Sequence, residues 1–211
     1  SLNELTYLSL RTFATVISRH IVRDDFIIFS DNTTPDESTI LYNGEEVTTI
    51  ANKNLGNRFI HGYSIDGFSY FSRSLKLNGS LSYVKGDENE TYGPMPSISP
   101  IFGTISGEYT KDKIKISALY KFSGDKSPKD YSLGGEDGLE ETPVITENSN
   151  GIIYAGTPKW SDFSIYTNYD ISEDVKIRIA LTNIFDNHYR TFASGISAPG
   201  RSFQIGLYLK L

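Results

Sequence analysis

The chain has 211 residues, a formal net charge of −6 and a hydrophobic content of 38%, a little low for a packed globular core. The acidic balance argues against a general nucleic-acid binder, which needs a basic face, and the absence of cysteine excludes disulfides and thiolate metal sites. No apolar run approaches the roughly 20 residues that a transmembrane helix requires.

Alternation of apolar and polar residues is the clearest pattern in the sequence. It occurs in residues 75–83, 114–122 and 163–170, and again in 175–182 and the closing segment 203–211. In 175–182, the apolar residues Val175, Ile177, Ile179 and Leu181 alternate with Lys176, Arg178, Ala180 and Thr182. A period of two residues predicts β-strands with one apolar and one polar face, and a helical period fits none of these segments.

The predicted strands are separated by connections that alternate between short and long. Strands are expected near residues 4–10, 13–29, 47–71, 75–85, 103–111, 113–123, 160–170, 174–185 and 201–211. Tight turns are expected near Thr12 and at 72–74, 112 and 171–173, and long polar connections at 30–46, 86–102, 124–159 and 186–200. Alternate connections of an antiparallel meander lie at opposite ends, so the long ones share one end. This pattern predicts an all-β fold, an antiparallel up-and-down transmembrane β-barrel with short periplasmic turns and long outer loops.

A soluble β-sandwich or a secreted β-solenoid is the alternative, because strands in those folds also alternate. The polar face predicted here is mainly basic, however, with Lys76, Lys113, Lys115, Lys121, Lys176, Arg178 and Lys210 set against Glu108 and Asp170. Aromatic residues also lie near strand ends, where membrane barrels have aromatic girdles: Tyr83, Tyr109, Tyr120, Phe122, Phe163 and Phe185. Four long loops on one edge are rare in a sandwich, and we therefore favour the membrane barrel.

The chain is expected to be part of a larger barrel. About nine strands are predicted, whereas bacterial single-chain outer-membrane barrels have an even number. An open sheet in lipid would leave backbone groups unpaired at its edges, and a basic inner face needs counter-charge unless water fills the barrel. The first four residues lack the organisation of a signal peptide, and strand-like alternation is already present at 4–10. We therefore expect an upstream portion that supplies further strands and an acidic surface inside the barrel.

Two motifs near the C-terminus resemble those of a known family. Residues 181–190 read LTNIFDNHYR and are followed by PGRSF at 199–203. They resemble the penultimate strand, last loop and closing strand of TonB-dependent outer-membrane receptors, which typically read N-L-F-D-x-x-Y and then P-G-R. Residues 204–211 resemble the signal for barrel assembly, carried here by Gln204, Gly206, Leu209 and Leu211, whereas family members usually end in Phe or Trp. An exposed amphipathic strand of this kind can be captured by strand addition during assembly.

The resemblance implies that residues 1–211 form the C-terminal portion of a 22-stranded barrel, with the other strands, a plug domain and a TonB box upstream. It implies a multi-pass protein of the bacterial outer membrane, in contact with lipid and lipopolysaccharide and inserted by the barrel-assembly machinery. The implied function is active uptake of a scarce, bulky nutrient, first a metal chelate such as an iron–siderophore, or heme, with energy from the TonB complex. A cobalamin receptor and a passive porin or structural barrel remain as alternatives.

Ligand capture is expected from aromatic and cationic residues above the strands: Tyr131, Tyr154, Trp160, Tyr189, Arg190 and Arg201. Structural roles compete with this interpretation for three of them. Trp160 and Tyr189 are also suited to anchor the aromatic girdle, and Arg201 to form an ion pair in the barrel mouth.

Neither a catalytic site nor a resident metal or cofactor is expected. The acidic run at 134–141 lacks the alternating ligand spacing of a calcium loop and predicts a solvated acidic loop. His20, His61 and His188 have no metal-ligand spacing, although His188, just past a strand end, is a candidate heme ligand. No Ser/His or Asp/His pair suggests catalysis, so the chain is not expected to be an enzyme.

Overall fold

The computed structural model describes residues 6–25, 39–90, 93–149 and 151–210. Its strands are β1 (Thr6–Asp25), β2 (Thr39–Tyr42), β3 (Glu45–Thr48), β4 (Ile50–Tyr70), β5 (Leu75–Gly86), β6 (Glu88–Asn89), β7 (Gly93–Pro94), β8 (Phe102–Lys111), β9 (Ile114–Ser123), β10 (Val144–Asn148), β11 (Gly151–Tyr154), β12 (Trp160–Asp170), β13 (Val175–Thr182) and β14 (Ser202–Leu209). Two short 3₁₀ helices, Pro128–Asp130 and Leu139–Glu141, lie between β9 and β10. In these ranges no helix is long and apolar enough to cross a membrane.

Eight strands form one antiparallel sheet in the order β1-β4-β5-β8-β9-β12-β13-β14. Each of them pairs with the next sheet strand along the chain, which confirms the predicted all-β, antiparallel up-and-down fold. The remaining strands form three small hairpins, β2–β3, β6–β7 and β10–β11, inside the long connections. Within the described ranges, β1 and β14 are the edges of the sheet and do not pair with each other, so the sheet is open.

The short connections are closed by local hydrogen bonds that the sequence repeats. At Phe71–Ser74 the N–H of Phe71 donates to the carbonyl of Leu75 over 2.9 Å, and the equivalent bond from Ile171 to Val175 has the same length. A serine follows each of these two residues, and its hydroxyl accepts backbone N–H groups within the turn. The third short turn has Asp112 at a φ of 51°, a left-handed conformation that Asp tolerates. Short turns and long loops therefore alternate as predicted.

The predicted turn near Thr12 is wrong. Residues on both sides of Thr12 form the single strand β1, in which Thr12 pairs with Tyr63 of β4. Threonine is β-branched and favourable in strands, and it continues the alternation that places Leu10 and Val16 on one face. Two predicted strands are thus one, which gives the large sheet eight strands. The predicted strand residues 4–5 and 26–29 lie outside the described residues.

The long connection between β1 and β4 contains local structure of its own. The predicted strand at 47–71 is interrupted, because Glu45–Thr48 pairs back onto Thr39–Tyr42. Asn43 and Gly44 close this hairpin with positive φ angles of 51° and 89°. Asn-Gly is the sequence that such a two-residue turn favours. Because the hairpin uses residues up to Thr48, the β4 strand of the large sheet begins only at Ile50.

One face of the large sheet is apolar and uncovered. The register aligns Ile165, Leu181 and Phe203 across three neighbouring strands, and Ile179 pairs with Ile205. On β14 the apolar residues Phe203, Ile205, Leu207 and Leu209 are 61–68% exposed. Fully burying such a side chain is worth about 1.5–3 kcal/mol, and no second sheet packs on this face in the described ranges. An uncovered apolar face fits a lipid-facing surface.

The opposite face is polar, and several of its cations are paired within the sheet. Four ion pairs join neighbouring strands: Arg11–Asp66 (3.4 Å), Lys115–Glu108 (2.6 Å), Lys121–Asp162 (3.6 Å) and Lys176–Asp170 (3.3 Å). The ammonium of Lys76 lies 4.6 Å from the centre of the Phe68 ring. Of the seven cations that the sequence places on this face, Lys115, Lys121 and Lys176 thus have a carboxylate partner within the sheet. The expected counter-charge from an upstream portion stays a prediction.

Candidate ligand cleft of the outer loops

The long connections share one end of the sheet, and we call them the outer loops. The first runs from residue 26 to 49, the second from 87 to 101, the third from 124 to 159 and the fourth from 183 to 201. Of the first loop, residues 39–49 are described. The third loop contains the β10–β11 hairpin and both 3₁₀ helices, so the predicted polar stretch is in fact largely structured.

Asn183 anchors the fourth outer loop. It is 2% exposed and adopts a positive φ of 47°, which ends β13 after Thr182. Its side-chain amide donates to the carbonyls of Asn187 (2.9 Å) and Pro199 (3.0 Å), and its side-chain oxygen accepts the N–H of Asn187 (3.0 Å). The two ends of the loop are thereby tied together. The Asn of the LTNIFDNHYR motif therefore has a structural role in this fold.

Asp186 and Arg201 complete this anchor. The Asp186 carboxylate accepts the backbone N–H of Arg201 over 2.7 Å, and the two side chains approach to 3.9 Å. Asp186 has a φ of 56°, a left-handed conformation that Asp adopts more readily than most residues. Arg201, predicted as a ligand-binding candidate, lies here beside Asp186 at the base of the loop, as its competing structural role would require.

Tyr189 and Trp160 form a stacked pair between the fourth loop and the start of β12. Their ring centroids are 4.3 Å apart with an interplanar angle of 15°. The Tyr189 hydroxyl donates to the carboxylate of buried Asp162 over 3.1 Å. Burial, followed by the hydrogen bond to Asp162 and the charge of that carboxylate, raises the pKa of Tyr189 to about 12. Tyr189 is therefore a neutral hydrogen-bond donor at physiological pH.

Tyr131 lies inside the third outer loop, although it was predicted on the ligand-facing surface. It is 2% exposed, its hydroxyl is 2.6 Å from the Thr157 hydroxyl, and its ring packs edge-on against Phe192. Burial raises its pKa above the usual value. Tyr131 is therefore part of the packed interior of the loops. Tyr154, another candidate, pairs with Val144 in the β10–β11 hairpin.

A cleft of about 570 Å³ lies between the third and fourth outer loops. Of the six predicted ligand-binding residues, Tyr189 and Arg190 line it, and Tyr131, Tyr154, Trp160 and Arg201 do not. Arg190 bridges the two loops, since its guanidinium donates to the Glu141 carbonyl over 3.0 Å and lies 3.8 Å from the Glu141 carboxylate. The cleft is also lined by Lys159 and by four carboxylates of the run predicted as a solvated acidic loop: Glu136, Asp137, Glu140 and Glu141. Asp137 departs from that prediction, because it is buried.

Trp160 lines a second, more open groove beside the cleft. This groove also contains Tyr120 and Phe122, which stack on each other at 6.0 Å on the apolar side of β9. The Trp160 indole N–H is buried and has no hydrogen-bond partner in the described part of the chain. The register pairs Trp160 with Ser123, on the side of β12 that also carries Asp162, so its role as a girdle anchor stays a prediction.

The three histidines lie on three different elements of the fold. His20 is in β1, His61 stacks on Phe59 in β4, and His188 is exposed at the edge of the cleft. Within the described residues no group of three His, Cys, Asp or Glu side chains could hold a metal ion.

The predicted assembly signal lies mostly in the closing strand. Gln204, Gly206 and Leu209 are in β14, with Leu209 exposed on the apolar face opposite Val175. Gly206 pairs with Arg178, whose guanidinium lies 5.1 Å from the Tyr208 ring centre. Leu211 lies outside the described residues.

No protein-family model matches the sequence, and a comparison with curated proteins gave no match. Solved structures do match it at low identity. The copper transporter OprC is 15% identical, with 98% of this chain and 30% of that chain covered and a TM-score of 0.67. The siderophore receptor PirA from Acinetobacter baumannii is 17% identical over 98% of this chain and 30% of its own, with a TM-score of 0.66. A variant of the ferric enterobactin receptor PfeA from Pseudomonas aeruginosa, in complex with enterobactin, is 15% identical over 96% of this chain and 29% of its own, with a TM-score of 0.68.

These proteins are transporters and receptors, and the present chain spans about 30% of the length of those it matches. The match in fold extends over nearly the whole chain, and in the described residues the sheet is open at β1 and β14. The chain has the fold of part of the outer-membrane β-barrel of TonB-dependent receptors.

Proposed function

We propose that this chain is the C-terminal part of an outer-membrane receptor that actively takes up a metal chelate. The observation that carries the proposal is the eight-stranded antiparallel sheet with an uncovered apolar face, long loops at one end and the fold of TonB-dependent receptor barrels. A sheet that crosses lipid needs both edges paired, because each unpaired backbone group there costs several kcal/mol. We therefore propose that β1 and β14 pair with upstream strands of a 22-stranded barrel.

The proposed transport is energised from the inner membrane. The upstream part of the protein would contain a plug domain inside the barrel and a TonB box that the TonB complex engages. The barrel would be inserted by the barrel-assembly machinery through β14, and its outer rim would contact lipopolysaccharide. The resemblance of residues 181–190 to the TonB-dependent receptor motif supports this proposal. Within that motif, Asn183 and Asp186 hold the fourth loop at the start of the closing strand.

The cleft between the third and fourth outer loops is our proposed contact site for the cargo. Its volume of about 570 Å³ lies within the usual range of ligand pockets, roughly 300–1,000 Å³. The single hydroxyl proton of Tyr189 is donated to Asp162, so at the wall of the cleft Tyr189 supplies an oxygen that can accept a hydrogen bond, and Arg190 supplies a cation. The matching proteins are described as transporters or receptors for copper, iron or siderophores, and an iron–siderophore is accordingly our first candidate.

The charge of the outer loops narrows the class of chelate. The four loops contain 16 acidic and five basic residues, whereas the rest of the chain contains ten acidic and 15 basic residues. A negative potential over the entrance would repel polyanionic ligands at long range. A neutral or cationic chelate is therefore favoured over a polyanionic one. Heme and cobalamin are the next candidates, and His188 at the edge of the cleft is the residue that would favour heme.

Uptake of radiolabelled iron chelates by iron-starved cells tests the proposal. Cells that express the full-length protein should accumulate chelated iron, and a protonophore or deletion of the TonB gene should abolish the accumulation. A neutral chelate should be taken up better than a polyanionic one. The second candidate function, a passive porin, predicts slow accumulation that neither the protonophore nor the deletion affects. That result would overturn active uptake.

A further inference from the structure

We propose that Lys126 is a positioning residue that locks the second, third and fourth outer loops into one rigid unit and so keeps the ligand cleft preformed. That the cleft binds a cargo rests on the proposed function. The contacts by which Lys126 holds the loops together do not depend on any cargo. We call the group formed by Lys126, Tyr131, Asp137 and Phe192 the loop latch.

Lys126 lies at the stem of the third outer loop. Its N–H donates to the carbonyl of Thr157 over 2.9 Å, and the N–H of Thr157 donates back over 3.0 Å. This two-bond bridge joins the start of the loop to its end. The Lys126 side chain is 5% exposed, so the stem directs a charged group into the interior of the loops.

The Lys126 ammonium contacts all three loops. It donates to the carbonyl of Ile98 in the second loop over 2.7 Å and to the Asp137 carboxylate in the third loop over 2.9 Å. It also lies 4.0 Å from the ring centre of Phe192 in the fourth loop and 5.0 Å from that of Tyr131. Charge-assisted hydrogen bonds and cation–π contacts are strongest where water is excluded, as it is here.

Asp137 uses both of its carboxylate oxygens in the latch. One accepts the bond from Lys126, and the other accepts the N–H of Ser97 in the second loop over 2.7 Å. Asp137 is only 2% exposed. A buried ion pair is weak evidence for stability, because an apolar pair of the same volume often stabilises a fold equally well. What Lys126 and Asp137 provide together is a set of directional bonds that only one arrangement of the loops satisfies.

The latch is contiguous with the cleft. Asp137 and Thr157 line the cleft, and so do Thr191 and Ala193 on either side of Phe192. When the wall of the cleft is already ordered, ligand binding does not have to order it. The free-energy cost of that ordering is about 0.5–1.5 kcal/mol per immobilised side chain. Lys126 therefore acts on the ligand through the loops it holds, since it does not itself line the cleft.

Distances between the loops test the latch directly in the full-length receptor. Spin labels at Glu90→Cys in the second loop and Ile196→Cys in the fourth report their separation, and this chain contributes no competing cysteine. Both positions are exposed, and neither lines the cleft. The wild type and the Lys129→Met control, an exposed lysine three residues away, should give one narrow distance distribution. Lys126→Met should give a broad one.

A double variant separates positioning from simple destabilisation. Lys126→Met/Asp137→Leu removes the unpaired buried carboxylate that Lys126→Met leaves, so its thermal stability should recover while its distance distribution stays broad. In uptake assays Lys126→Met should raise the KM for the chelate about fivefold or more with an unchanged maximal rate. Narrow distances in the double variant, or an unchanged KM in Lys126→Met, would overturn the latch. Absence of any chelate uptake by the wild type would instead defeat the proposed function, and the distances would still decide the latch.

Discussion

The ion pairs between strands of the sheet each have at least one partner that is more than a third exposed, whereas the outer loops contain a pair that is buried on both sides. On the sheet, ion pairs such as Lys176–Asp170 are about half exposed, and exposed pairs of this kind contribute roughly 0–1 kcal/mol. In the loops, the Lys126–Asp137 pair is 5% and 2% exposed and joins separate segments. The sheet is ordered by its backbone ladder, which tolerates changes among the polar side chains. The loops are ordered by a few specific side chains, so single substitutions should act strongly there.

The apolar face of the sheet should be the least tolerant of charge. Ile205→Arg places a cation on this face in the middle of β14, and the penalty near the bilayer midplane is about 2–4 kcal/mol. We expect a large loss of folded full-length barrel, measured by heat-modifiable migration in gel electrophoresis. Ser117→Arg, on the polar face in the middle of β9 and opposite Glu108, should fold normally. Equal loss in both variants would contradict the assignment of the faces.

The anchor of the fourth loop should be the next most sensitive position. Asn183→Ala removes two donated bonds and one accepted bond at a buried site and leaves two carbonyls short of partners. Each unsatisfied buried group costs about 1–3 kcal/mol. The loop should therefore become sensitive to protease while the barrel still forms. Asn168→Ala, at an asparagine within β12, is the control and should remain resistant; cleavage of both variants alike would count against the anchor.

Arg190 should contribute to cargo affinity without affecting assembly. Arg190→Ala removes the cation from the wall of the cleft and its bond to the Glu141 carbonyl. We expect about a tenfold loss of affinity for the chelate, which corresponds to about 1.4 kcal/mol, measured by ligand quenching of fluorescence. Arg201→Ala is a matched control outside the cleft and should bind as the wild type does. If Arg201→Ala alone weakens binding, the cargo sits elsewhere.

The smallest expected effect is on the ionisation of Tyr189. Its pKa is raised from 10.0 to about 12, so the folded protein holds the phenol proton more tightly than the unfolded chain does. The stability from its contact with Asp162 is therefore complete below pH 10 and is lost as the pH rises towards 12. Ultraviolet difference titration should show one late-ionising tyrosine fewer in Tyr189→Phe than in the wild type. An identical titration curve would contradict this contact.

The sequence predicts the sheet better than it predicts the site. Alternation identifies most of the sheet strands and both faces, because the period of two is a local property of an extended chain. It fails at Thr12, where the local pattern does not show that β1 continues. It also fails at Lys126 and Tyr131, because their burial depends on contacts with Ile98 and Phe192, which are distant in the sequence. Arg190 was identified from its charge and its loop position, whereas Glu141 was passed over as part of a solvated acidic run.

The most direct test of the central claim is a single-cysteine scan along β13 and β14 in the full-length protein in native membranes. Residues 1–211 contribute no cysteine, so labelling of each variant is compared with that of the full-length protein without an introduced thiol. Odd-numbered positions from 175 to 181 and from 203 to 209 should react with a lipid-soluble reagent, and even-numbered positions with a water-soluble one. Uniform labelling from water on both faces would contradict a membrane-spanning barrel.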